Sequence, residues 1–261
     1  MQSTQKKQIS LLYHEVVDSF TESGFQNKDN LLYMHNTDEF QKQVKEIFIA
    51  DYNCVSVFDL FRNEFAKNLL FTFDDGGISA LKSSKILENY NFIGHYFVTT
   101  KYIDHPLFLD KKAIISLHNN NHIIGSHSHT HPMIFRSLSY KKMIEEWKTS
   151  KKILENIVQD EIVCCSIPGG DSDKKTYESA IESGYKFIFN SEPTSEIISI
   201  DKAHILGRFS IKANTTNEAL HEILLYQNHR KLQNIRKFKQ MVKKIIFPLH
   251  SYIQNKKNNA Q

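Results

Sequence analysis

Short apolar runs alternate with segments of helical period along most of the 261-residue chain. Each run has the length of one strand, and each following segment places apolar residues three or four positions apart. The predicted strands are 9–13, 69–73, 93–98, 122–124, 162–165, 186–189 and 203–206. The predicted helices are 38–48, 79–90, 110–118, 139–158, 174–183 and 217–226. This alternation predicts a parallel sheet with helices packed outside, whose chemistry lies at the carboxyl ends of the strands.

The length of the chain suits one domain of α/β-barrel size. Residues 15–36 are polar, and we predict a long loop there. Thr37 is predicted to cap the helix that follows this loop, and Ser139 to cap the longest helix. Gly184 is placed to end the predicted helix 174–183.

Basic residues are concentrated at the C-terminal end. Residues 228–261 contain nine Lys and Arg and no Asp or Glu. Because the whole chain has a net charge of +4, the net charge of residues 1–227 is −5. Apolar residues recur there at helical spacing, namely Leu232, Ile235, Phe238, Val242, Ile245 and Leu249. A basic amphipathic helix favours contact with a membrane surface, here through 228–258, or packing on the barrel with a solvated basic face. We expect no nucleic acid partner, because no aromatic-basic sheet motif is present.

The cysteines and the apolar runs bear on location. Cys54, Cys164 and Cys165 are an odd set with two adjacent members, which predicts reduced thiols, at least one of them in a buried strand. The first apolar run, residues 9–13, contains Ser10, whereas export signals have about 7–15 apolar residues. No stretch approaches the roughly 18 apolar residues of a spanning helix. We therefore predict a cytoplasmic protein, peripheral to the inner membrane face where the tail binds it.

Two carboxylates and two glycines directly follow the strand at 69–73. Ionising both Asp74 and Asp75 costs free energy unless a cation lies close. Gly76 and Gly77 let the backbone turn sharply beside a ligand. The same residues are typical of a turn that begins a helix, so a ligand site and a structural turn are both open.

The segment SHSHTHP at 126–132 contains three histidines within five residues, and it follows the predicted strand 122–124. Imidazole is the commonest metal ligand among side chains. On a helical turn His127 and His131 share a face and His129 points away, which is the arrangement we favour. In an extended segment all three would share one side. Pro132 disfavours the helical region for His131, so the turn is irregular or ends there.

The segment SIPGG at 166–170 also follows a predicted strand. It predicts a tight turn, whose exposed backbone N–H groups could bind a developing oxyanion. Two histidines and one carboxylate from the other segments would give three protein ligands. Such a set leaves one position for water or substrate, as catalytic metal sites require.

Together these segments resemble the motifs of polysaccharide deacetylases, the NodB-type carbohydrate esterases. FTFDDG at 71–76 resembles the first motif, SHSHTHP the second (H-[S/T]-x-x-H), and SIPGG the third (usually R-x-P-x-G). The resemblance covers roughly residues 65–215. It implies an α/β fold, an irregular (β/α)7-type barrel with a single catalytic domain over 1–227, followed by the basic tail 228–261.

The resemblance also implies roles. Asp75, His127 and His131 would bind one divalent metal ion, and Asp74 would be the general base. Zinc suits this ligand set best, and cobalt, nickel and manganese also accept imidazole and carboxylate. The metal would polarise the amide carbonyl and lower the pKa of its water.

The chain departs from the family pattern in its third and fourth motifs. The third-motif arginine, which orients the base, is Ser166 here, and we hypothesise that Arg208 supplies that charge from a later strand. A backbone N–H near Gly169, after Pro168, would hold the oxyanion. The fourth motif, usually D-x-x-D-W, is absent from the sequence.

The fifth motif, L-x-H, normally lies near the C-terminal end and gives the histidine that protonates the leaving amine. Here Leu12 and His14 match it on the first strand, as in branches of the family that look circularly permuted. We predict His14 as the general acid. The alternatives are a solvent-facing His14 at a strand end, or His250 in the tail, which fits less well.

The implied function is a metal-dependent hydrolase that removes an N-acetyl group from a sugar of a surface-polysaccharide pathway, such as capsule or O-antigen (lipopolysaccharide) synthesis. Its partner would be an acetylated sugar or oligosaccharide, linked to a nucleotide or a lipid. One alternative is a deformylase, or another amide hydrolase, acting on a lipid-linked aminosugar. The other is a non-catalytic carbohydrate-binding barrel, which the missing arginine and fourth motif would explain.

Overall fold

A curled, mostly parallel sheet with helices on its outer side dominates the structure. The structure is a computed structural model that describes residues 8–25, 28–62, 67–239 and 241–242. The strands of these residues are β1 Gln8–Tyr13, β2 Glu15–Val16, β3 Met34–His35, β4 Asn53–Cys54, β5 Asn68–Phe73, β6 Gly94–Val98, β7 Ile123–Ser126, β8 Cys164–Ser166, β9 Phe187–Phe189, β10 Ile197–Ile200, β11 Ala203–Leu206 and β12 Phe209–Ser210. Their helices are α1 Thr37–Ile49, α2 Ala80–Glu88, α3 Lys111–Asn119, α4 Tyr140–Val158, α5 Lys174–Glu182 and α6 Asn217–Leu224.

The strand order in the large sheet is β10-β11-β9-β8-β7-β6-β5-β1-β12, with β4 also paired to β5. Every described pair in it is parallel except β10 with β11. Helices α1 to α5 contact one another in chain order, as crossover connections of a parallel sheet require. The predicted fold class, a distorted (β/α) barrel in one domain, is confirmed.

Residues 203–210 join the two sides of the curled sheet. Their first half, β11, pairs with β9, and their second half, β12, pairs with β1. Gly207 and Arg208 lie between the two halves. One short stretch of chain therefore connects β11, next to one edge of the sheet, with β12 at the other edge, and β1 is a neighbour of β12.

Burial on both faces explains why the strands are mostly apolar in sequence and do not alternate with polar residues. All six residues of β1 and all six of β5 are buried, because helices cover one face of the sheet and side chains fill the other. In α4, the face that packs on the sheet carries Met143, Trp147 and Leu154. Ser139 caps α4 by accepting a hydrogen bond from the N–H of Lys142, as predicted.

Several sequence predictions of local structure are wrong. Residues 15–36 are not one long loop, because β2 and β3 pair as a small separate sheet within them. Asn36, not Thr37, caps α1, because its side-chain oxygen accepts from the N–H of Asp38. The short strands β4, β10 and β12 were not predicted, since two to four residues give too little periodicity.

The three cysteines are unpaired, and the first part of the tail is helical. Cys54, Cys164 and Cys165 are free thiols, and the last two lie buried in β8. Residues 229–239 are helical. The predicted tail runs from 228 to 261, and its part after residue 242 lies outside the described residues. Among the residues that the structure describes, no helix has the length and apolar character needed to span a membrane.

Candidate metal centre and active site

The first two site residues lie where β5 ends. The N–H of Asp74 donates to the carbonyl of Tyr13 on β1 at 3.1 Å, so the ladder continues one residue beyond Phe73. Asp75 and Gly76 then adopt positive φ angles of 80° and 82°. Asp tolerates this left-handed region better than most residues, and Gly adopts it freely. Asp74 and Asp75 both line a cavity of about 500 Å³.

The histidine segment leaves β7 through an irregular turn. Ser128 and His131 have φ angles of 64° and 56°, and the N–H of His131 donates to the Ser128 hydroxyl at 3.1 Å. The rings of His127 and His131 approach to 4.9 Å between centroids. Nδ1 of His129 lies instead 3.0 Å from the Thr100 hydroxyl. The favoured pair of histidines thus faces one side, and the extended arrangement with all three does not occur.

Asp75, His127 and His131 converge within this cavity. Oδ1 of Asp75 lies 3.5 Å from Nε2 of each histidine, and one ligand atom from each residue lies within 4.8 Å of the others. Two ligands of a tetrahedral zinc ion are roughly 3.3 Å apart, so the spacing fits a shared cation. Nδ1 of His127 is 2.9 Å from the carbonyl oxygen of Ser166. That bond places the proton on Nδ1 and leaves the Nε2 lone pair facing Asp75.

Burial sets the protonation of these three groups. It lowers the pKa of His127 to about 3 and lowers that of His131, so both imidazoles are neutral at pH 7, the form that binds metals. Burial, helped by the charge of adjacent Asp74 and opposed by His14, raises the pKa of Asp75 to about 6. A carboxylate in this position gains stability from a nearby cation. The donor set therefore fits a divalent metal ion.

Asp74 is held by a buried, bidentate arginine. Nη1 and Nη2 of Arg208 donate to its two carboxylate oxygens at 2.7 and 2.9 Å. The Ser166 hydroxyl donates to Oδ2 of Asp74 at 3.0 Å and accepts from Nη2 of Arg208 at 2.8 Å. Burial alone would raise the pKa of Asp74, but the Arg208 guanidinium, with His127, holds it well below its usual range. Asp74 is therefore an ionised carboxylate.

Arg208 itself is fixed on all sides. Its side chain is fully buried, its Nε donates to the carbonyl of Asn190 at 2.8 Å, and its guanidinium lies 5.7 Å from the Phe97 ring. The hypothesis that Arg208 replaces the arginine missing at Ser166 requires contact with Asp74, and the contact exists. Its contribution to activity stays a prediction.

His14 follows β1 and lines the same cavity. Its ring packs against that of Tyr33, with 4.5 Å between centroids and 49° between the ring planes. Nδ1 of His14 is buried and has no hydrogen-bond partner among the described residues. Burial lowers its pKa, while the Asp75 and Asp74 carboxylates act against that shift. His14 is partly exposed and faces this cavity, so its role as general acid stays a prediction. His250 lies outside the described residues.

The third segment forms a 3-10 turn at Pro168–Gly170. Gly169 and Gly170 have φ angles of 65° and 63° and line the cavity. A side chain at Gly170 would also collide with Ser191, since a Cβ there would lie 2.0 Å from its hydroxyl oxygen. Pro168 is buried and does not line the cavity. The structure thus brings Gly169, but not Pro168, to the site.

Glu146 of α4 supports the site and was not predicted. Its Oε2 accepts the N–H groups of His129 and Thr130 at 2.9 and 2.7 Å, and its Oε1 accepts the Thr130 hydroxyl proton at 2.6 Å. The carboxylate therefore fixes the backbone between His127 and His131. The sequence carries no signal for this role, because Glu146 stands among other charged residues of a long helix.

Two further charged residues of the cavity, Glu15 and Arg236, are not among the predicted site residues. Glu15 is 4% exposed, and its Oε1 accepts the N–H of Gly24 at 3.0 Å. Arg236, from the tail, lines the cavity as well. Its Nη2 donates to the carbonyl of Gly170 at 2.7 Å. Glu15 follows the fifth-motif match directly and could have been suspected, whereas Arg236 stands among many basic residues.

Comparison with known proteins agrees with this picture. Residues 62–188 match the family model described as polysaccharide deacetylase. A protein of Bacillus subtilis (strain 168) named as a polysaccharide deacetylase, YxkH, is 26% identical over 128 residues. That match spans 49% of this chain and 46% of the relative, so the chain covers about half the length of that protein.

Two solved structures share the fold. The Streptococcus pyogenes deacetylase PplD, solved in complex with acetate, is similar with a TM-score of 0.72 and 22% identity, over 85% of this chain and 99% of that one. The polysaccharide deacetylase BC0361 from Bacillus cereus is similar with a TM-score of 0.71 and 20% identity, over 84% of this chain and 69% of that one. At these identities the likeness establishes the fold.

Proposed function

We propose that the chain, whose residues 62–188 match the polysaccharide deacetylase family model, is a metal-dependent hydrolase that removes an N-acetyl group from a sugar. Water adds to the acyl carbon, the C–N bond breaks, and acetate and a free amino sugar leave. The proposal rests chiefly on the cluster of Asp75, His127 and His131 beside Asp74 in one cavity.

The metal ligands would be Oδ1 of Asp75 and Nε2 of His127 and His131. A bound divalent ion would supply Lewis acidity toward the acyl carbonyl and a water of lowered pKa. Zinc is the first candidate because two imidazoles and one carboxylate suit it, with cobalt, nickel or manganese as substitutes.

Asp74 would accept the proton of the attacking water. Its carboxylate is already ionised, and Arg208 and Ser166 fix its plane through the hydrogen bonds described above. A fixed base loses little entropy when it meets the water, which is the chief advantage of such positioning. Arg208 thus acts through Asp74 as a positioning residue.

His14 would donate a proton to the leaving amine. Its unpaired, buried Nδ1 and its place in the cavity support this role, since a buried polar atom without a partner costs free energy that a substrate contact offsets. The backbone at Gly169, just after the carboxyl end of β8, would contact the oxyanion.

The substrate would be a nucleotide- or lipid-linked sugar, or an oligosaccharide, of capsule or O-antigen synthesis. That PplD was solved with acetate supports an acetyl rather than a formyl group. The free thiols support a reducing, cytoplasmic location. In the tail, the exposed side chains of Phe238 and Met241 support contact with the inner membrane surface.

The test measures metal content and acyl release together. The parent chain is compared with the Asp75→Ala, His127→Ala double variant and with His129→Ala, a control in the same segment that points away from the cluster. We expect about one divalent ion per chain in parent and control and none in the double variant. Acetate release from N-acetylglucosamine oligosaccharides should follow the same order.

Three outcomes would contradict parts of the proposal. Equal metal content in the double variant would reject the ligand set. Formate release from N-formyl substrates without acetate release would replace the acetyl group with a formyl group. Retained metal without turnover on any acylated sugar would favour a carbohydrate-binding barrel.

A further inference from the structure

A second cavity, of about 580 Å³, adjoins the active-site cavity. It lies between the chain that follows β12, helix α6 and the helical residues 229–239. The residues that line both cavities are Tyr33, Gly169, Ser191, Ser210 and Arg236. A ligand that extends from the metal cluster on this side therefore enters the second cavity.

Three lysines of the second cavity lack a negatively charged partner among the described residues. Lys212, Lys231 and Lys239 line it, and the ion pairs found in the described part of the chain include none of them. The Nζ of Lys212 lies 5.7 Å from the centre of the Tyr33 ring. Burial lowers the pKa of Lys212, and the charge of Lys239 lowers it further. An anion beside the Lys212 and Lys239 ammonium groups would offset both effects on Lys212.

The other charged groups of the cavity are largely occupied. Arg236 pairs with Glu192, with its Nε 3.2 Å from Oε1. The carboxylate of Asp171 is bound by Nε of Arg136 at 2.8 Å. Glu222 lines the cavity from α6 and is exposed. The cavity thus keeps an excess of positive charge that internal carboxylates do not neutralise.

Apolar side chains form another part of the same wall. Phe209, Ile223, Leu232 and Ile235 line the cavity together with the lysines. Ile235 is 43% exposed, although it faces this cavity. A surface that combines cations with apolar groups suits a ligand that has an anionic group and an apolar part.

We propose that the second cavity binds the phosphate that links the acetylated sugar to its carrier, with Lys212, Lys231 and Lys239 as its contacts. The inference rests on the proposed function in one respect, that the sugar lies in the first cavity. Lysine is a common binder of phosphate oxygens. Nucleotide-linked and lipid-linked sugars share this phosphate, and they differ in the group attached to its far side.

The test measures binding by calorimetry with the full chain and three probes: dodecyl phosphate, uridine diphosphate and inorganic phosphate. The Lys212→Gln, Lys239→Gln double variant is compared with Lys141→Gln, Lys148→Gln. The control removes the same charge from exposed positions of α4. We expect dodecyl phosphate or uridine diphosphate to bind the parent and the control alike, with a Kd at least ten times higher in the first variant.

The choice of probe identifies the carrier. Tighter binding of dodecyl phosphate than of uridine diphosphate would indicate a lipid phosphate, and the reverse order a nucleotide. Absence of binding to the parent at millimolar concentration, or equal affinity of both double variants, would overturn the proposal. Because this assay needs no turnover, failure of acetate release would not alter its result, and failure of phosphate binding would leave the deacetylase proposal standing.

Discussion

The Arg208–Asp74 pair is the clearest example of a single contact that orders the site. Both side chains are almost fully buried, and two parallel hydrogen bonds join them. Such a fork is specific to the planar guanidinium, because an ammonium group cannot meet both carboxylate oxygens in the same way. Removing one partner leaves the other as an uncompensated charge in the interior.

Arg208→Lys should therefore keep the charge and lose the orientation. We expect kcat for acetate release to fall about ten- to a hundredfold with little change in KM, because the base would be present but misaligned. Arg208→Met should also lower the free energy of unfolding by about 3–5 kcal/mol, measured by urea denaturation. A fully active Arg208→Lys enzyme would show that the fork is dispensable.

His95 makes stability depend on pH. Its Nε2 accepts the N–H of Val57 at 3.2 Å, so the proton is on Nδ1, which donates to the carbonyl of Phe71 at 2.9 Å. Burial lowers the pKa of His95 to about 4, whereas an unfolded histidine titrates near 6.5. The unfolded state therefore binds the proton first, and stability is full above about pH 6.5 and falls as the pH drops toward 4.

From pH 7 to pH 5, His95 should lower the free energy of unfolding by about 2 kcal/mol. Urea denaturation at both values measures it. His95→Gln should be less stable at pH 7 but lose less between the two pH values. His105→Gln, at an exposed loop position, should keep the parent's pH dependence. An unchanged pH dependence in His95→Gln would contradict the assignment.

At the scale of elements, α4 supports the metal centre through one side chain. Its buried face fixes the helix on the sheet, and Glu146 then holds the backbone of His129 and Thr130. The histidine segment has little regular structure of its own, so its shape depends on this helix. A packed helix can thus orient ligands that it does not itself carry.

Glu146→Gln should weaken metal affinity about 10- to 100-fold, because the amide replaces a charged acceptor of two N–H groups. Competition with a chromophoric chelator measures this affinity. Glu145→Gln is the matched control, since Glu145 is exposed on the same helix and pairs with Lys142. Equal affinity of the two variants would show that the histidine segment keeps its shape without Glu146.

At the scale of the whole molecule, the chain that connects β11 to β12 also carries Arg208, which positions Asp74. Gly207 lies where the chain passes from β11 to β12, immediately before Arg208. A Cβ at Gly207 would lie 2.3 Å from the carbonyl oxygen of Glu192 and 3.0 Å from that of Thr194. The connection between the two sides of the curled sheet and the position of Arg208 thus depend on the same close approach of two backbones.

Gly207→Ala should lower the free energy of unfolding by about 1–3 kcal/mol through this collision, and lower kcat because Arg208 moves. Gly184→Ala is the comparison, because its Cβ would meet only the end of the Lys151 side chain at 3.6 Å, at a φ of 88°. It should cost stability through backbone strain and leave kcat unchanged. Full activity in Gly207→Ala would show that catalysis does not depend on this close approach of the two backbones.

Much of the fold could be predicted because burial on both faces leaves a direct mark on the sequence. The runs around β5 and β6 are mostly apolar, and α4 repeats its apolar residues over five turns. Short elements such as β12, β2 and β3 lack such a mark. Their pairing depends on partners that are distant in the chain.

For the site, local sequence patterns indicate the residue types and their position at strand ends: the adjacent carboxylates at Asp74 and Asp75, and the paired histidines at His127 and His131. A parallel sheet brings such ends to one edge, so their proximity follows from the local pattern. Which distant groups complete them depends on tertiary packing. Arg208 lies 134 residues from Asp74, and Glu146 stands among similar charges, so their contacts arise from the curl of the sheet and from helix packing, which no local pattern encodes.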